Sequence, residues 1–185
     1  MILLRHGQSE FNLHFAKNRV DPGIEDPRLT PLGHEQAESA AEALSRETIR
    51  CIIASPYTRA LQTAAPLARR LGLPVHVQPL VRERFAFACD VGSPAPDLAE
   101  AWPEHDFSGV DPVWWPDREE PAESILERAR HFRTTMRDRP DWPHTVVVSH
   151  WGFILSMTGQ SVMNGQWVRC DPREDGPAEV NWHHG

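Results

Sequence analysis

The sequence predicts an α/β fold, a three-layer α/β/α sandwich with a mostly parallel central sheet and helices on both faces. Two observations carry this. Short apolar, β-branched runs alternate along the chain with longer stretches of helical periodicity. Three of the apolar runs end in a tight turn that leads at once into a helix-like segment, the pattern of parallel strands joined by crossover helices.

The elements follow in order. Met1-Ile2-Leu3-Leu4 is too short for a helix, is followed closely by Gly7, and reads as a buried strand. Ser9 is placed to cap a helix from Ser9 to Asn18, whose free first-turn N–H groups would face the turn. The loop from Arg19 to Arg28 carries the turn signals Asp21-Pro22-Gly23 and Asp26-Pro27. Thr30 as N-cap and Pro31 at the first position start a helix that runs to Arg46. A second strand covers Arg50 to Ala54, and a helix from Tyr57 to Leu71 ends at Gly72. Pro74 to Val77 is a short third strand. Glu119 to Arg137 is helical, with Ile125, Ala129, Phe132 and Met136 on one buried face. Thr145 to Ser149 is a further strand, followed by a helix from Phe153 to Thr158. In the tail, Gln166 to Cys170 and Glu179 to Trp182 are strand-like. They either extend the sheet at its edge or form a contact in a homodimer.

Residues 85–118 differ. Five prolines break regular structure there, and Trp102, Trp114 and Trp115 sit among them. A long, irregular, aromatic segment reads as a lid or specificity loop, or as a stretch whose tryptophans only pack onto the core. No linker or repeat divides the chain, so residues 1–185 read as one domain.

Composition narrows the function. At 185 residues and 40% hydrophobic content the chain can bury a sizeable core. No apolar stretch is long enough to span a membrane, and Arg5-His6 interrupts what would otherwise resemble a leader. The three cysteines, Cys51, Cys89 and Cys170, form no metal or redox motif, which points to a reducing cytoplasm. A net charge of −7 argues against nucleic-acid binding. A phosphate must then be drawn by local arginines. The adjacent His183 and His184 read as a solvated tail pair, not as metal ligands.

Ligands of open α/β sheets bind beyond the carboxyl ends of the strands. The three strand ends deliver Arg5 and His6, then Arg59, then His150 to one crevice. Two guanidiniums and two imidazoles there suit a phosphoryl group. His6 is the candidate nucleophile, with one ring nitrogen free and the other held as a donor by a carbonyl. Arg5 and Arg59 would clamp the oxygens, and His150 would donate to the transferring group. Ser9 and Asn12 read as neutral donors at the rim, and Trp151 as a bulky wall.

These residues also carry a resemblance. The ordered set Arg5-His6-Gly7-Gln8-Ser9-Glu10-Phe11-Asn12, Leu29-Thr30-Pro31-Leu32-Gly33 with Gln36-Ala37, Ser55-Pro56-Tyr57-Thr58-Arg59-Ala60 with Gln62-Thr63-Ala64, and Ser149-His150 resembles the histidine phosphatase (phosphoglycerate mutase-like) superfamily. The resemblance implies a phosphomonoesterase that forms a phosphohistidine on His6, with Arg5, Arg59 and His150 around it and no cofactor. The substrate is expected to be a small phosphorylated molecule, with a phosphoprotein as the alternative, and inorganic phosphate is the expected product. The same resemblance admits a mutase, or a weakly catalytic member that binds a phosphorylated ligand or a protein. The shortness of the chain favours hydrolysis.

The general acid is open between two carboxylates. Glu83, in Leu80-Val81-Arg82-Glu83-Arg84, stands where the family resemblance implies it. The segment that commonly follows is absent, which leaves Asp90 as a rival. Arg82 and Arg84 would lower the pKa of Glu83 if they approach it. Thr30 and Gly33 read as cap and packing positions.

Overall fold

The computed structural model describes residues 1–182. Strands β1 (Ile2–Arg5), β2 (Cys51–Ala54), β3 (Val75–Val77), β4 (Thr145–Ser149) and β5 (Trp167–Arg169) form one sheet in the order β3-β2-β4-β1-β5. The pairs β1–β4, β2–β4 and β2–β3 are parallel, and β5 runs antiparallel along the outer edge of β1. Strands β2 and β4 are buried over their whole length. That burial is why they read as continuous apolar runs and not as alternating ones.

Side chains alternate across the sheet and divide the core in two. Ile2, Leu4, Ile52, Ala54, Val146 and Val148 pack with α2 (Pro31–Leu44) and α3 (Thr58–Leu71). Leu3, Cys51, Ile53 and Val147 face the opposite way, onto α5 (Ala122–Arg137) and α6 (Trp151–Thr158). The remaining helices among the described residues are α1 (Glu10–Asn18) and α4 (Ala95–Ala101).

Several boundaries differ from the expectation. The prolines of the 85–118 segment do not only break structure: Pro94 sits at the N-cap of α4 and Pro96 in its first turn, where a missing N–H costs nothing. α5 begins at Ala122, because Pro121 takes the cap position. α6 begins at Trp151, directly after the strand, and not at Phe153. In the tail, β5 extends the sheet, whereas residues 179–182 form no strand. His183 and His184 lie outside the described residues. The tryptophans of 85–118 pack inward. Trp114 is buried edge-on against Tyr57 and donates its indole N–H to the Ser93 carbonyl, and Trp102 stacks on His105.

The turn after β1 is held by a backbone contact. A Cβ on Gly7 would sit 2.3 Å from the Gly33 carbonyl oxygen, and one on Gly33 would sit 2.1 Å from that of Gln8. Thr30 caps α2 through the Gly33 N–H at 3.1 Å and donates to the Gln8 side chain at 2.9 Å. Thr30 and Gly33 are therefore cap and packing residues. Because backbone lies on both sides, Gly33→Ala is expected to destabilise the protein by about 2–3 kcal/mol, measured by urea unfolding.

Candidate active site

The register of β1 against β4 creates the site. Arg5 pairs with Ser149, and the ladder continues with the His6 N–H donating to the Ser149 carbonyl at 3.0 Å. His6 and His150 thus leave neighbouring strands at the same level, with ring centroids 5.1 Å apart.

His6 is held by its own turn. Nδ1 lies 2.6 Å from the Gly7 carbonyl oxygen, which can only accept. Nδ1 therefore carries the proton, and Nε2 keeps its lone pair. Burial, then the charges of Arg59 and Arg5, push the imidazole well below its ordinary pKa. The ring is neutral at neutral pH, the form that a nucleophile needs.

The two guanidiniums differ. Arg59, the second residue of α3, is almost fully buried, donates to the Cys89 carbonyl at 2.7 Å and to Asp90 at 3.3 Å, and lies over the Tyr57 ring. Arg5 is half-buried, donates to the Val162 carbonyl at 2.8 Å and forms no ion pair among the described residues; burial lowers its pKa to about 10 against the opposing charge of Glu83. A desolvated guanidinium with no ion-pair partner in contact is an invitation to an anion.

His150 is fully buried against His6 and Tyr57, and neither ring nitrogen has a hydrogen-bond partner. It stands behind His6 and is not among the residues that line the cleft. The neutral ring has one N–H to give, and leaving it unpaired costs on the order of 1–3 kcal/mol, which a phosphoryl oxygen reaching past His6 would offset.

The two carboxylates occupy different settings. Asp90 is buried and consumed: one oxygen accepts from the Ala86 and Phe87 N–H groups, both at 3.0 Å, and the other accepts from Arg59. Glu83 borders the cleft and sits at the N-terminus of α6, accepting from the Arg84 N–H at 2.8 Å and the Gly152 N–H at 3.2 Å. A Cβ on Gly152 would meet its Oε1 at 2.5 Å, so the carboxylate requires glycine there. The expected lowering of its pKa by Arg82 and Arg84 does not occur. Both side chains turn away, Arg82 to Glu120 and Arg84 to Glu119. Burial and the Asp90 charge instead raise the Glu83 pKa.

The turn N–H groups expected to face an anion are spent inside the protein. Those of Gly7, Gln8 and Ser9 go to Thr63, Gln36 and Asn12, that of Glu10 goes to the Arg28 carbonyl, and that of Asn12 goes to Ser9 Oγ. Ser9 and Asn12 line the cleft but are tied in a reciprocal cap, and Asn12 Oδ1 also accepts from Asn164. The Ser9 hydroxyl donates to Asn12 Oδ1, so of this pair Asn12 Nδ2 is the group left to reach the cleft. Trp151 donates its indole N–H to Ser161 at 2.9 Å and presents its ring as a wall.

The cleft is about 600 Å³. Residues that the sequence did not single out complete it. Phe11, Phe15 and Phe87 form an aromatic cluster with Arg19 over Phe15, and Met163, Asn164 and Trp182 come from the far end of the chain. Trp182 packs edge-on against Trp151 beneath Arg84.

The model of the histidine phosphatase superfamily (branch 1) matches residues 1–171. The chain belongs to that family. This phosphatase is 31% identical over 214 residues to the glucosyl-3-phosphoglycerate phosphatase of Mycolicibacterium vanbaalenii, covering 98% of this chain and 91% of that protein. Among solved structures it is similar to a mycobacterial glucosyl-3-phosphoglycerate phosphatase in complex with VO3, with TM-score 0.64 and 25% identity over 90% of this chain and 88% of that one. The complex of the same enzyme with inorganic phosphate gives TM-score 0.60 and 26% identity, over 90% and 86%. The phosphoglycerate mutase-like fold and the hydrolysis of a phosphomonoester, both expected above, follow from these relations.

The buried imidazoles of this phosphatase make its stability depend on pH. His6 and His150 have folded pKa values below the ordinary 6.5, so below that pH the unfolded chain binds protons that the folded one refuses. Their contribution is present above the unfolded value and is lost as pH falls toward the folded one. Glu83 and Asp90, with raised values, act in the opposite sense. In His150→Phe the slope of stability against pH below about pH 6 is expected to be shallower by about 1.4 kcal/mol per pH unit, read from urea unfolding at a series of pH values.

Proposed function

We propose that the reaction runs on His6, Arg5, Arg59, His150 and Glu83 as follows. The Nε2 lone pair of His6 attacks phosphorus in line, and the bond to the ester oxygen breaks. The protonated Glu83 carboxyl gives its proton to the departing oxygen. Arg5 and Arg59 neutralise the phosphoryl oxygens, and His150 supplies a further donor. The phosphohistidine keeps Nδ1–H on the Gly7 carbonyl. Glu83, now a carboxylate, takes a proton from water; the water oxygen attacks phosphorus, the P–N bond breaks, and phosphate leaves with His6 neutral again.

The observation that carries this reading is the pairing of a carbonyl-held His6 with a half-buried Arg5 that forms no ion pair among the described residues. Glu83 is preferred to Asp90 as the acid because it is half-buried and forms no ion pair among the described residues, whereas Asp90, which also lines the cleft with a raised pKa, is fully buried in an ion pair with Arg59. A cytoplasmic location fits the three free, buried cysteines.

We extend to this chain the substrate class of its named relatives: a small phosphorylated metabolite carrying a sugar ring and a carboxylate. The aromatic cluster of Phe11, Phe15 and Phe87 suits a ring face, and Arg19 at its edge suits a carboxylate.

Three measurements test the reading. Phosphate release from an aryl phosphate is expected to persist in EDTA and to fall by at least about 10³-fold in His6→Ala, with loss of the acid-labile phosphoenzyme. Glucosyl-3-phosphoglycerate is expected to give free phosphate with no isomerised product, and Arg19→Ala to raise KM about tenfold with kcat little changed. For kcat/KM, neutral His6 and protonated Glu83 set an acid-shifted window. The alkaline limb should disappear in Glu83→Gln, and its survival there would assign it to another group.

A further inference from the structure

Beneath the acid lies a buried charged cluster that the reaction above does not use. Glu120 and Arg128 are 3% and 8% exposed. Arg128 of α5 grips the Glu120 carboxylate with two nitrogens, at 2.6 and 3.1 Å. Its remaining hydrogen bonds go to the main chain around Glu83: the carbonyls of Leu80 at 3.0 Å, Arg82 at 2.8 Å and Glu83 at 3.4 Å. Glu120 in turn accepts from Arg82 at 3.4 Å and Ser124 at 3.1 Å. Its main chain binds the same segment, with its carbonyl accepting from Arg84 Nε at 2.9 Å and its N–H donating to the Phe85 carbonyl at 2.8 Å.

The pattern has a direction. The backbone at Arg82 is extended, and successive side chains of an extended stretch point to opposite sides. Arg82 reaches back to Glu120, away from the cleft, whereas Glu83 borders it, beside Arg84 and Glu119 at its edge. A buried ion pair is weak as a source of stability and better suited to fixing one geometry. Arg128 also lies over the Phe153 ring, but the hydrogen bonds named above beyond the pair itself, Ser124 apart, all fall on the strip that carries Glu83.

We infer that Glu120 and Arg128 are positioning residues for Glu83: a guanidinium–carboxylate brace from α5 and its entry loop that clamps residues 80–85, so that the carboxyl meets the leaving oxygen. The inference rests on Glu83 as the acid. Arg5, His6, Arg59 and His150 take no hydrogen bond from the brace, so phosphate binding is separate from it.

A misplaced acid has a signature that a general loss of packing lacks. Esters of strongly basic alcohols need the proton, and nitrophenyl phosphate barely does. The experiment compares kcat/KM for glycerol phosphate and nitrophenyl phosphate in wild type, Glu83→Gln, Glu120→Gln, Arg128→Lys and Arg82→Met. In the first two brace variants the glycerol phosphate value is expected to fall about tenfold or more and the nitrophenyl phosphate value less than about threefold, with inhibition by inorganic phosphate unchanged. Glu83→Gln should show the same discrimination more strongly. Arg82→Met, which removes a partly exposed leg and leaves the buried pair intact, should show it more weakly, and it decides the matter if the buried variants fail to fold. Equal losses on both esters, or none, in the brace variants overturn the inference when Glu83→Gln does discriminate. A Glu83→Gln variant that does not discriminate overturns the assignment of the acid, and the brace with it.

Discussion

Everything at the catalytic end of this phosphatase depends on the parallel register of β1 and β4. With Arg5 opposite Ser149, His6 and His150 emerge side by side. A slip of one residue would turn Arg5 and His6 each to the face opposite the one it now occupies, and could put apolar Leu4 opposite Ser149. The register is secured from both sides of the sheet, because the side chains of β1 fill two separate cores. The close contact of Gly7 with Gly33 then leaves the turn a single path out of the strand.

On that frame the site balances charge by burial. Burial depresses the pKa of the two imidazoles, and the neighbouring guanidiniums deepen the effect. The same burial raises Glu83, so that a base and an acid coexist a short distance apart, each in the protonation state that the chemistry requires. Asp90 is the counterweight that lets Arg59 remain buried, and it also fastens the 86–90 turn that borders the cleft.

Much of this was legible in the chain because it is written locally. Ser9, Thr30 and Gly72 mark helix ends through short-range caps, and all three act as such. The strand-turn-helix junctions that carry His6, Arg59 and His150 are equally local. What was not legible is set by contacts between distant residues. The prolines at 94 and 96 read as breakers until their place at a helix start is known. Arg82 and Arg84 looked like neighbours of Glu83 in charge, yet both are engaged by other carboxylates, Arg82 by Glu120 and Arg84 by Glu119. The turn N–H groups looked free, but partners as far along the chain as Gln36 and Thr63 occupy them. Met163, Asn164 and Trp182 enter the cleft from beyond the last predicted helix, and no local pattern announces that.

The placement of β1 has a consequence for how the molecule comes into being. It leaves the ribosome before the other four strands of the sheet, yet its two neighbours, β4 and β5, are the last of the five to be made. The β2–α3–β3 unit and α2 can dock on one another early, whereas Ile2-Leu3-Leu4 must wait unpaired until Thr145 and then Trp167 are available. The site therefore closes last, in a step that joins the first strand of the sheet to its last two. Until then the nascent protein carries a short, sticky apolar strand, the kind of segment that chaperones shield during synthesis.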